Sequence, residues 1–347
     1  MAEEKIITLP GEHEEIEESI TAPIRAGVST GERLQSGDFF PIRQNAAINA
    51  ITKMRQNKAK TDENTNKATI KKADVALLIA DPNKLLGEYK TSTAKTLDIL
   101  LAKCEPDKGD KVSLTLSEYM QLRGLKDRKS AKRTVRADAQ LLAEIKLSAG
   151  DINNYEWLRL FYKGSVKEGN ITMYLTKDFL EVLKGAYIMD YPKGLLKTND
   201  KEHPNSYNFG RKIAEHQRIN RDSETKDIIS VKTLLDNSEN IPTIEEVMQR
   251  GRNPGQKIIE PFERDLDHLT ELGLLRWNYC HKHGAILTDE ELINLDYKLF
   301  ETLNIKVEWI NYPDQTKYIE RKKQAIEKNK AAKRKRNSQK KTTPGEN

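Results

Sequence analysis

The chain has 347 residues, which is enough for two domains of ordinary size. Charged residues make up 32% and hydrophobic residues 37%, a balance typical of a helical, well-solvated protein. No apolar run approaches the roughly 18–20 residues that span a bilayer, and the acidic N-terminus lacks a signal-peptide core. We therefore expect a cytoplasmic protein with no membrane partner, in which Cys104 and Cys280 are free thiols.

The net charge of +6 is unevenly distributed along the chain. Residues 1–20 contain seven Glu against one Lys, whereas residues 321–347 contain eleven Lys or Arg against two Glu, a net charge of +9. The C-terminal segment, residues 313–347, is predicted to be a disordered basic tail. It should bind polyanions with little sequence preference through Lys333, Arg334, Lys335 and Arg336. A tail that only keeps the chain soluble is the alternative.

Residues 1–70 are polar, have little periodicity and are predicted to be mostly disordered. The stretch GDFFPIRQNAAINAITKM is an exception, because Phe39, Phe40 and Ile42 could dock on the body of the protein or on a partner. A nascent helix without a fixed role is the alternative for this stretch.

Residues 71–184 are predicted to form a first folded unit. TSTAKTLDILLAKC has the pattern of a helix, and KVSLTL has that of a short alternating strand. Two helices follow, separated by the turn residue Gly124, and then the strands YEWLRLFYK and NITMYL, which the glycine-containing GSVKEG joins as a hairpin. Helix, strand, helix, helix and hairpin, in that order, describe a winged helix.

The second of the paired helices, which starts between Asp127 and Ser130, has two chemically different sides. Its apolar residues step by four, four and three and so form one stripe, which consists of Ala131, Val135, Ala139 and Leu142. Its basic residues fall largely off that stripe, and they are Arg128, Lys129, Lys132, Arg133 and Arg136. Because the major groove of DNA admits one α-helix and Arg or Lys can bond guanine, this pattern predicts a recognition helix. The hairpin should contact the DNA backbone through Lys163 and Lys167 at its tip. A solvated basic helix face is the alternative.

Residues 185–205 are predicted to be a linker, and residues 206–312 a second winged helix with a similar order of elements. Its recognition helix should begin near Glu260, because Pro261 is tolerated only in a first turn, and should end at Gly273. The candidate DNA contacts lie toward its N-terminal end and are Arg250, Arg252, Lys257 and Arg264. A structural or protein-binding unit is the alternative, since this helix is also acidic. We place Asp265, Asp267 and His268 on its outer face.

The sequence predicts no catalytic site, no metal site and no cofactor. GRNPGQK, residues 251–257, lacks the spacing of a phosphate-binding loop. A nicking enzyme would need a histidine pair that flanks an apolar residue, but Lys282 separates His281 from His283. Tyr318 and Lys322 match a YxxxK spacing by themselves, which chance can supply. Cys280 and the two histidines have no second Cys/His pair at zinc-finger spacing.

Between about residue 73 and residue 312, the chain resembles plasmid replication initiator proteins built from two winged-helix domains. The resemblance lies in the order of elements and in SLTLSEYMQLRGLKDRKSAKRTVRADAQLL, NITMYLTKDFLEVL, HPNSYNFGRKIAEH and IIEPFERDLDHLTELGLLRW. Arg128 to Arg136 match the family's first recognition helix, and Lys257 to Arg264 match its second, although the acidic residues of the second depart from the family pattern. The resemblance implies that both domains bind repeated origin sites, that host replication proteins are recruited, and that a homodimer can form through the first domain.

The sequence therefore predicts a mainly α protein with small β-hairpin wings, arranged as two tandem winged-helix domains with disordered termini. It predicts a sequence-specific double-stranded DNA-binding replication initiator of a bacterial plasmid or mobile element, which is not an enzyme and associates with the nucleoid or plasmid. A winged-helix repressor or partition regulator is the first alternative. A strand-nicking initiator enzyme, which would form a covalent DNA adduct, is the second.

Overall fold

The structure is a computed structural model, and it describes residues 30–36, 39–45, 48, 60–62, 67–72, 75–79, 89–150, 155–184, 186–238 and 240–310. The basic tail, with Lys333, Arg334, Lys335 and Arg336, lies outside these residues, as do Tyr318 and Lys322. Among the helices that can be described, none is both long and apolar enough to cross a bilayer.

The elements of the N-terminal half begin with a helix and a strand that precede the first unit. In chain order they are α1 (Thr30–Ser36), β1 (Phe39–Gln44), β2 (Lys60–Asp62), β3 (Lys67–Lys72), β4 (Val75–Ile79), α2 (Thr91–Lys103), β5 (Lys111–Thr115), α3 (Leu116–Arg123), α4 (Arg128–Glu144), β6 (Lys146–Gly150), β7 (Tyr155–Arg159), β8 (Phe161–Lys167), β9 (Asn170–Leu175), α5 (Lys177–Lys184) and β10 (Tyr187–Pro192).

The elements of the C-terminal half begin with a 3₁₀ helix, Lys193–Lys197. They continue as α6 (Ser206–Ile219), β11 (Ile228–Ser230), α7 (Val231–Leu235), α8 (Ile244–Gln249), a π-helical turn (Gly255–Ile259), α9 (Glu260–Glu271), β12 (Leu275–Cys280), α10 (Asp289–Ile293), α11 (Tyr297–Thr302) and β13 (Asn304–Trp309). The described chain is thus mainly helical with small antiparallel sheets, as the sequence predicts.

Two three-stranded sheets have the same strand order. In the first unit the order is β5-β9-β8, and in the second it is β11-β13-β12, so the earliest strand of each sheet lies at an edge and the latest in the middle. Every pairing in both sheets is antiparallel. Each unit therefore has a helix before the first strand of its sheet and further helices between that strand and the other two. The units differ elsewhere, because β6 and β7 follow α4 in the first, whereas two helices separate β12 from β13 in the second.

The hairpin of the first unit turns at Glu168 and Gly169, both of which have positive φ, at 50° and 79°. Two such residues fit a two-residue turn whose twist matches the flanking strands. The whole of GSVKEG was predicted to be loop, but four of its residues, Gly164 to Lys167, continue strand β8. Lys167 therefore adjoins the turn, whereas the placement of Lys163 at the tip is wrong.

The N-terminal segment and the linker both contain regular structure, which differs from their prediction as disordered and connecting segments. Strand β1 pairs antiparallel with β10, from Phe39 opposite Pro192 to Gln44 opposite Tyr187, and Phe40 is fully buried. Strands β2, β3 and β4 join β6 and β7 in a five-stranded sheet. The β1–β10 and β4–β6 pairings connect strands far apart in sequence, so no local window of sequence reveals them, whereas β2–β3, β3–β4 and β6–β7 pair strands that are neighbours in the chain.

Candidate nucleic-acid interface

Helix α4 begins where its sequence provides a cap. The Asp127 carboxylate accepts hydrogen bonds from the backbone N–H groups of Lys129 and Ser130, at 3.0 and 3.1 Å, which satisfies donors that a helix start leaves unpaired. The preceding helix, α3, ends at Gly124 in the left-handed conformation, with φ of 65°. Thr115 caps the start of α3, because its side chain accepts from the Glu118 N–H.

The two sides of α4 are separated as predicted. Its apolar stripe is buried, and its five basic residues are exposed to solvent. Arg128, Lys132 and Arg136 follow one another at steps of four, and Lys129 and Arg133 form a second row beside them. Gln140, one further step of four along the first row, is also exposed. The outward side of α4 is therefore a cationic surface about two and a half turns long.

The hairpin turn lies beside the start of this cationic surface. A Cβ placed on Gly169 would lie 3.2 Å from Nη2 of Arg128, and the Leu116 N–H donates to the Gly169 carbonyl at 2.7 Å. Lys167, which is exposed, lies two residues before Gly169 in the chain. Lys163 lies farther back along the strand, with its ammonium 5.4 Å from the centre of the Tyr174 ring. The turn that follows Lys167 therefore adjoins the start of α4.

A buried carboxylate fixes α4 to the first turn of α2. Oδ1 of Asp138 accepts from the Thr93 hydroxyl at 2.8 Å and the Ser92 hydroxyl at 3.3 Å, and Oδ2 accepts from Thr96 at 2.7 Å. Burial raises the pKa of Asp138, although the hydroxyl donors favour its charged form. The sequence pattern did not single out Asp138. Its position next to the apolar stripe, three residues after Val135, is the signal that could have found it.

The second unit has an aspartate in the equivalent place. Asp265 is fully buried, and its Oδ2 accepts from the backbone N–H and the side-chain amide of Asn205, at 2.9 and 2.7 Å. Its carboxylate thereby holds the start of α6, so its assignment to the outer face of the helix is wrong. As with Asp138, a buried Leu follows four residues later and a Glu six residues later, here Leu269 and Glu271.

The neighbours of Asp265 also have structural partners. Asp267 is exposed, as predicted, and accepts a hydrogen bond from Trp277 Nε1 at 3.0 Å. His268 is half-buried, and its ring stacks on that of His203 with centroids 3.9 Å apart and an interplanar angle of 5°. Burial, and then His203, lower the pKa of His268. This stacked pair connects α9 to the segment that joins the two units.

The four predicted DNA contacts of the second unit are all exposed, but they do not share one helix face. Arg250 caps α8, Arg252 lies in the following turn, and Lys257 lies in the π-helical turn that precedes α9. Arg264 lies within α9, where its Nε is 3.2 Å from Oδ1 of Asp265. Three of the four predicted contacts therefore precede the start of α9 at Glu260, which is the start that the sequence predicts.

Acidic residues in the middle of α9 are engaged by strand β12. Tyr279 donates to Glu263 Oε1 at 3.1 Å, just as Trp277 donates to Asp267. Burial raises the pKa of Glu263, which the Tyr279 hydrogen bond partly offsets. These contacts explain why this helix is acidic, since two of its carboxylates serve the packing of the unit.

The histidine and cysteine candidates of the second unit are dispersed. His281 Nε2 lies 3.0 Å from Oε1 of Glu291, and Cys280 is buried, which raises the pKa of its thiol. A thiolate is the form that binds a metal, so burial works against such a role. In the described part of the chain, no three Cys, His, Asp or Glu residues are grouped in a way that could hold a metal ion.

No protein-family model matches the chain, and no curated protein matches it in sequence. Among solved structures, it is similar to a crystal structure of selenomethionine derivatives of domains 2 and 3 of RctB. The TM-score is 0.41 at 11% identity, over 76% of this chain and 100% of that one. A second crystal structure of RctB domains 2–3 gives a TM-score of 0.35 at 12% identity, over 75% of this chain and 97% of that one.

Proposed function

We propose that this protein binds double-stranded DNA sequence-specifically through two winged-helix domains and initiates the replication of a bacterial plasmid or mobile element. The repeated sheet order, the helices between the first strand of each sheet and the other two, and the equivalent buried aspartates Asp138 and Asp265 support two copies of one domain type. In this assignment α4 and α9 are the recognition helices, and the β8–β9 hairpin is the wing of the first domain.

The cationic surface of α4 is the observation that carries the proposal. A recognition helix must be rigid on its inner side and rich in Arg and Lys on its outer side, where guanine O6 and N7 are bonded in the major groove. The buried stripe and Asp138 supply the first property, and the two exposed basic rows supply the second. In this proposal Arg128, at the helix start, and Lys167, beside the hairpin turn, hold phosphates and fix the register of the helix.

Replication initiation is favoured over repression or partition by the sequence resemblance to plasmid replication initiators. In that role the protein binds origin repeats, deforms the DNA and recruits host replication proteins, and a homodimer can repress its own gene. No covalent step on DNA and no cofactor is part of the proposal. The protein would act in the cytoplasm, at the plasmid or nucleoid.

The experiment starts with selection of DNA sites from a pool of random duplexes by the full chain. The selected sequence is then cloned as repeats beside an A·T-rich tract on a plasmid that lacks another origin. We expect that plasmid to replicate only when the protein is supplied. Repression of a reporter without replication would favour the regulator instead, and a covalent protein–DNA adduct formed with Mg²⁺ would favour the nicking enzyme.

Deletion of residues 321–347 is expected to weaken binding to all DNA at low salt. The deletion removes a net charge of +9, and each neutralised phosphate contributes a slope of about −0.9 to log K against log salt. The truncated protein should therefore show a shallower salt dependence and an equal or better preference for its own site. A salt titration with specific and random duplexes measures both quantities. Loss of site preference with an unchanged salt slope would contradict this role.

A further inference from the structure

Helix α2 of the first unit carries two fully buried charges, Lys95 and Asp98, less than one turn apart, and both contact the chain beyond residue 192. Nζ of Lys95 donates to the carbonyl and hydroxyl oxygens of Thr198, at 2.9 and 2.6 Å, and also to the Asp200 carboxylate. The second oxygen of that carboxylate accepts from Arg123 in α3. Asp200 thus binds two cations from two different helices of the first unit.

Asp98 makes the corresponding contacts with helix α6 of the second unit. Its Oδ2 accepts from Nη1 of Arg211 at 2.8 Å and from the Tyr207 hydroxyl. Burial disfavours the charged form of Arg211, but Asp98 and Tyr207 outweigh it and raise the pKa of Arg211 well above its ordinary value. The Asp98–Arg211 contact therefore joins the first unit to the second, and the Lys95–Asp200 contact joins the first unit to the segment between them. We call this cluster the buried bridge, and it consists of Lys95, Asp98, Thr198, Asp200, Tyr207 and Arg211.

The buried bridge continues to both candidate recognition helices. In the first unit, Asp138 ties α4 to the first turn of α2, which carries the bridge. In the second unit, Asp265 ties α9 to Asn205, and the Ser206 hydroxyl donates to the Asp265 carbonyl at 2.7 Å, at the start of α6. A path of short, mostly buried polar contacts therefore runs from α4 through α2 and α6 to α9.

Buried ion pairs of this kind are poor sources of stability, because desolvation offsets most of their attraction. Their best-attested effect is on geometry, since hydrogen-bonded charges accept few alternative arrangements, whereas an apolar contact can slide. Four buried or nearly buried charges at the junction of two units are therefore a means of fixing one relative orientation of α4 and α9.

We propose that the buried bridge makes the protein read the distance and rotational phase between two half-sites on one duplex, in addition to the sequence of each. The inference rests on the proposed DNA binding. Each added base pair moves the second half-site by about 3.4 Å and rotates it by roughly 34°, given about 10.5 base pairs per turn. A rigid protein cannot contact both half-sites after such a displacement, whereas two flexibly connected domains can.

The experiment uses the full chain and its selected site. Two alanine variants assign the half-sites to the two units. One replaces the basic residues of α4 and the other replaces Arg250, Arg252 and Lys257, and each should lose the part of the DNA footprint that its unit protects. Inserts of two, five and ten base pairs are then placed between the half-sites. We expect the affinity of the wild-type protein to fall at least about tenfold with each insert, toward that of a single half-site. Equal affinity for all spacings would overturn the inference.

Substitutions test whether the buried bridge causes the dependence of affinity on half-site spacing. The double substitution Lys95→Met with Asp200→Asn should leave the affinity for each isolated half-site unchanged while reducing the penalty of the five-base-pair insert to about threefold or less. The matched control is Lys103→Met with Glu118→Gln, which removes an ion pair of 2.6 Å between α2 and α3, within the first unit. The control should keep the full penalty, and an equal reduction in both proteins would contradict a specific role for the bridge.

The outcomes separate this inference from the proposed function. If selection yields no specific site, the DNA-binding proposal fails and the spacing inference fails with it. If a site is found but the footprint covers one unit, or the inserts change nothing, only the spacing inference fails. If thermal unfolding shows that the Lys95/Asp200 variant does not fold, the insert series with the wild-type protein still tests whether affinity depends on spacing. Thr198→Val is then a milder substitution that weakens the same contact.

Discussion

Replacement of Lys132, Arg133 and Arg136 with alanine is expected to abolish site-specific DNA binding without unfolding the protein. All three side chains are exposed on the outward side of α4, and none belongs to its buried stripe. A lost base contact typically costs about 1–3 kcal/mol, so three of them should reduce the specific affinity by at least a hundredfold. Gel shifts at a stated salt concentration, with the selected site and a scrambled duplex, measure the loss.

The control must remove the same charge elsewhere in the same unit. Lys108, Lys177 and Lys184 are exposed and lie outside α4, so their replacement with alanine lowers the net charge by an equal amount. This control should weaken binding to both duplexes slightly and to a similar degree. If it reduces site preference as much as the α4 variant does, the contribution of α4 is bulk charge, and its assignment as a recognition helix is wrong.

The sequence predicted α4 well because its evidence is local. The steps of four and three that place Ala131 and Leu142 on one stripe depend only on helical geometry, and so do the cap at Asp127 and the left-handed turn at Gly124. The start of α9 at Glu260 was predicted for the same reason, since the constraint of Pro261 acts within one turn. The assignment of the exposed basic residues of α4 and of the second unit to DNA contacts remains a prediction.

Features that depend on distant parts of the chain were missed. Periodicity treats an aspartate as a surface residue, so Asp265 was placed outside, although it binds the start of a helix about sixty residues earlier in the chain. The pairing of β1 with β10 and the contacts of Lys95 with residues 198–200 join segments even farther apart. The strand register that moves Lys163 away from the hairpin tip depends on a turn of two residues where a longer loop was predicted.

Asp98→Ala is expected to destabilise the protein by about 3–5 kcal/mol, because it removes the carboxylate that Arg211 contacts at 2.8 Å and leaves the buried guanidinium with Glu215, 3.9 Å away. Asp222→Ala is the matched control, since Asp222 pairs with Arg221 at the surface with its side chain 91% exposed, and such pairs contribute about 0–1 kcal/mol. Urea unfolding of the three proteins gives the free energies.

The double substitution Asp98→Leu with Arg211→Met decides what the pair contributes. It removes both charges of this pair and leaves side chains of similar volume, while Glu215, which loses Arg211 at 3.9 Å, still accepts from the Tyr191 hydroxyl at 3.2 Å. We therefore expect it to recover most of the stability that Asp98→Ala loses. If the double variant is as unstable as the single one, the pair itself stabilises the fold, and its role in geometry loses support. If the double variant is stable and its DNA affinity does not fall when inserts separate the half-sites, the charges at this junction fix the orientation of the two units and contribute little to their folding.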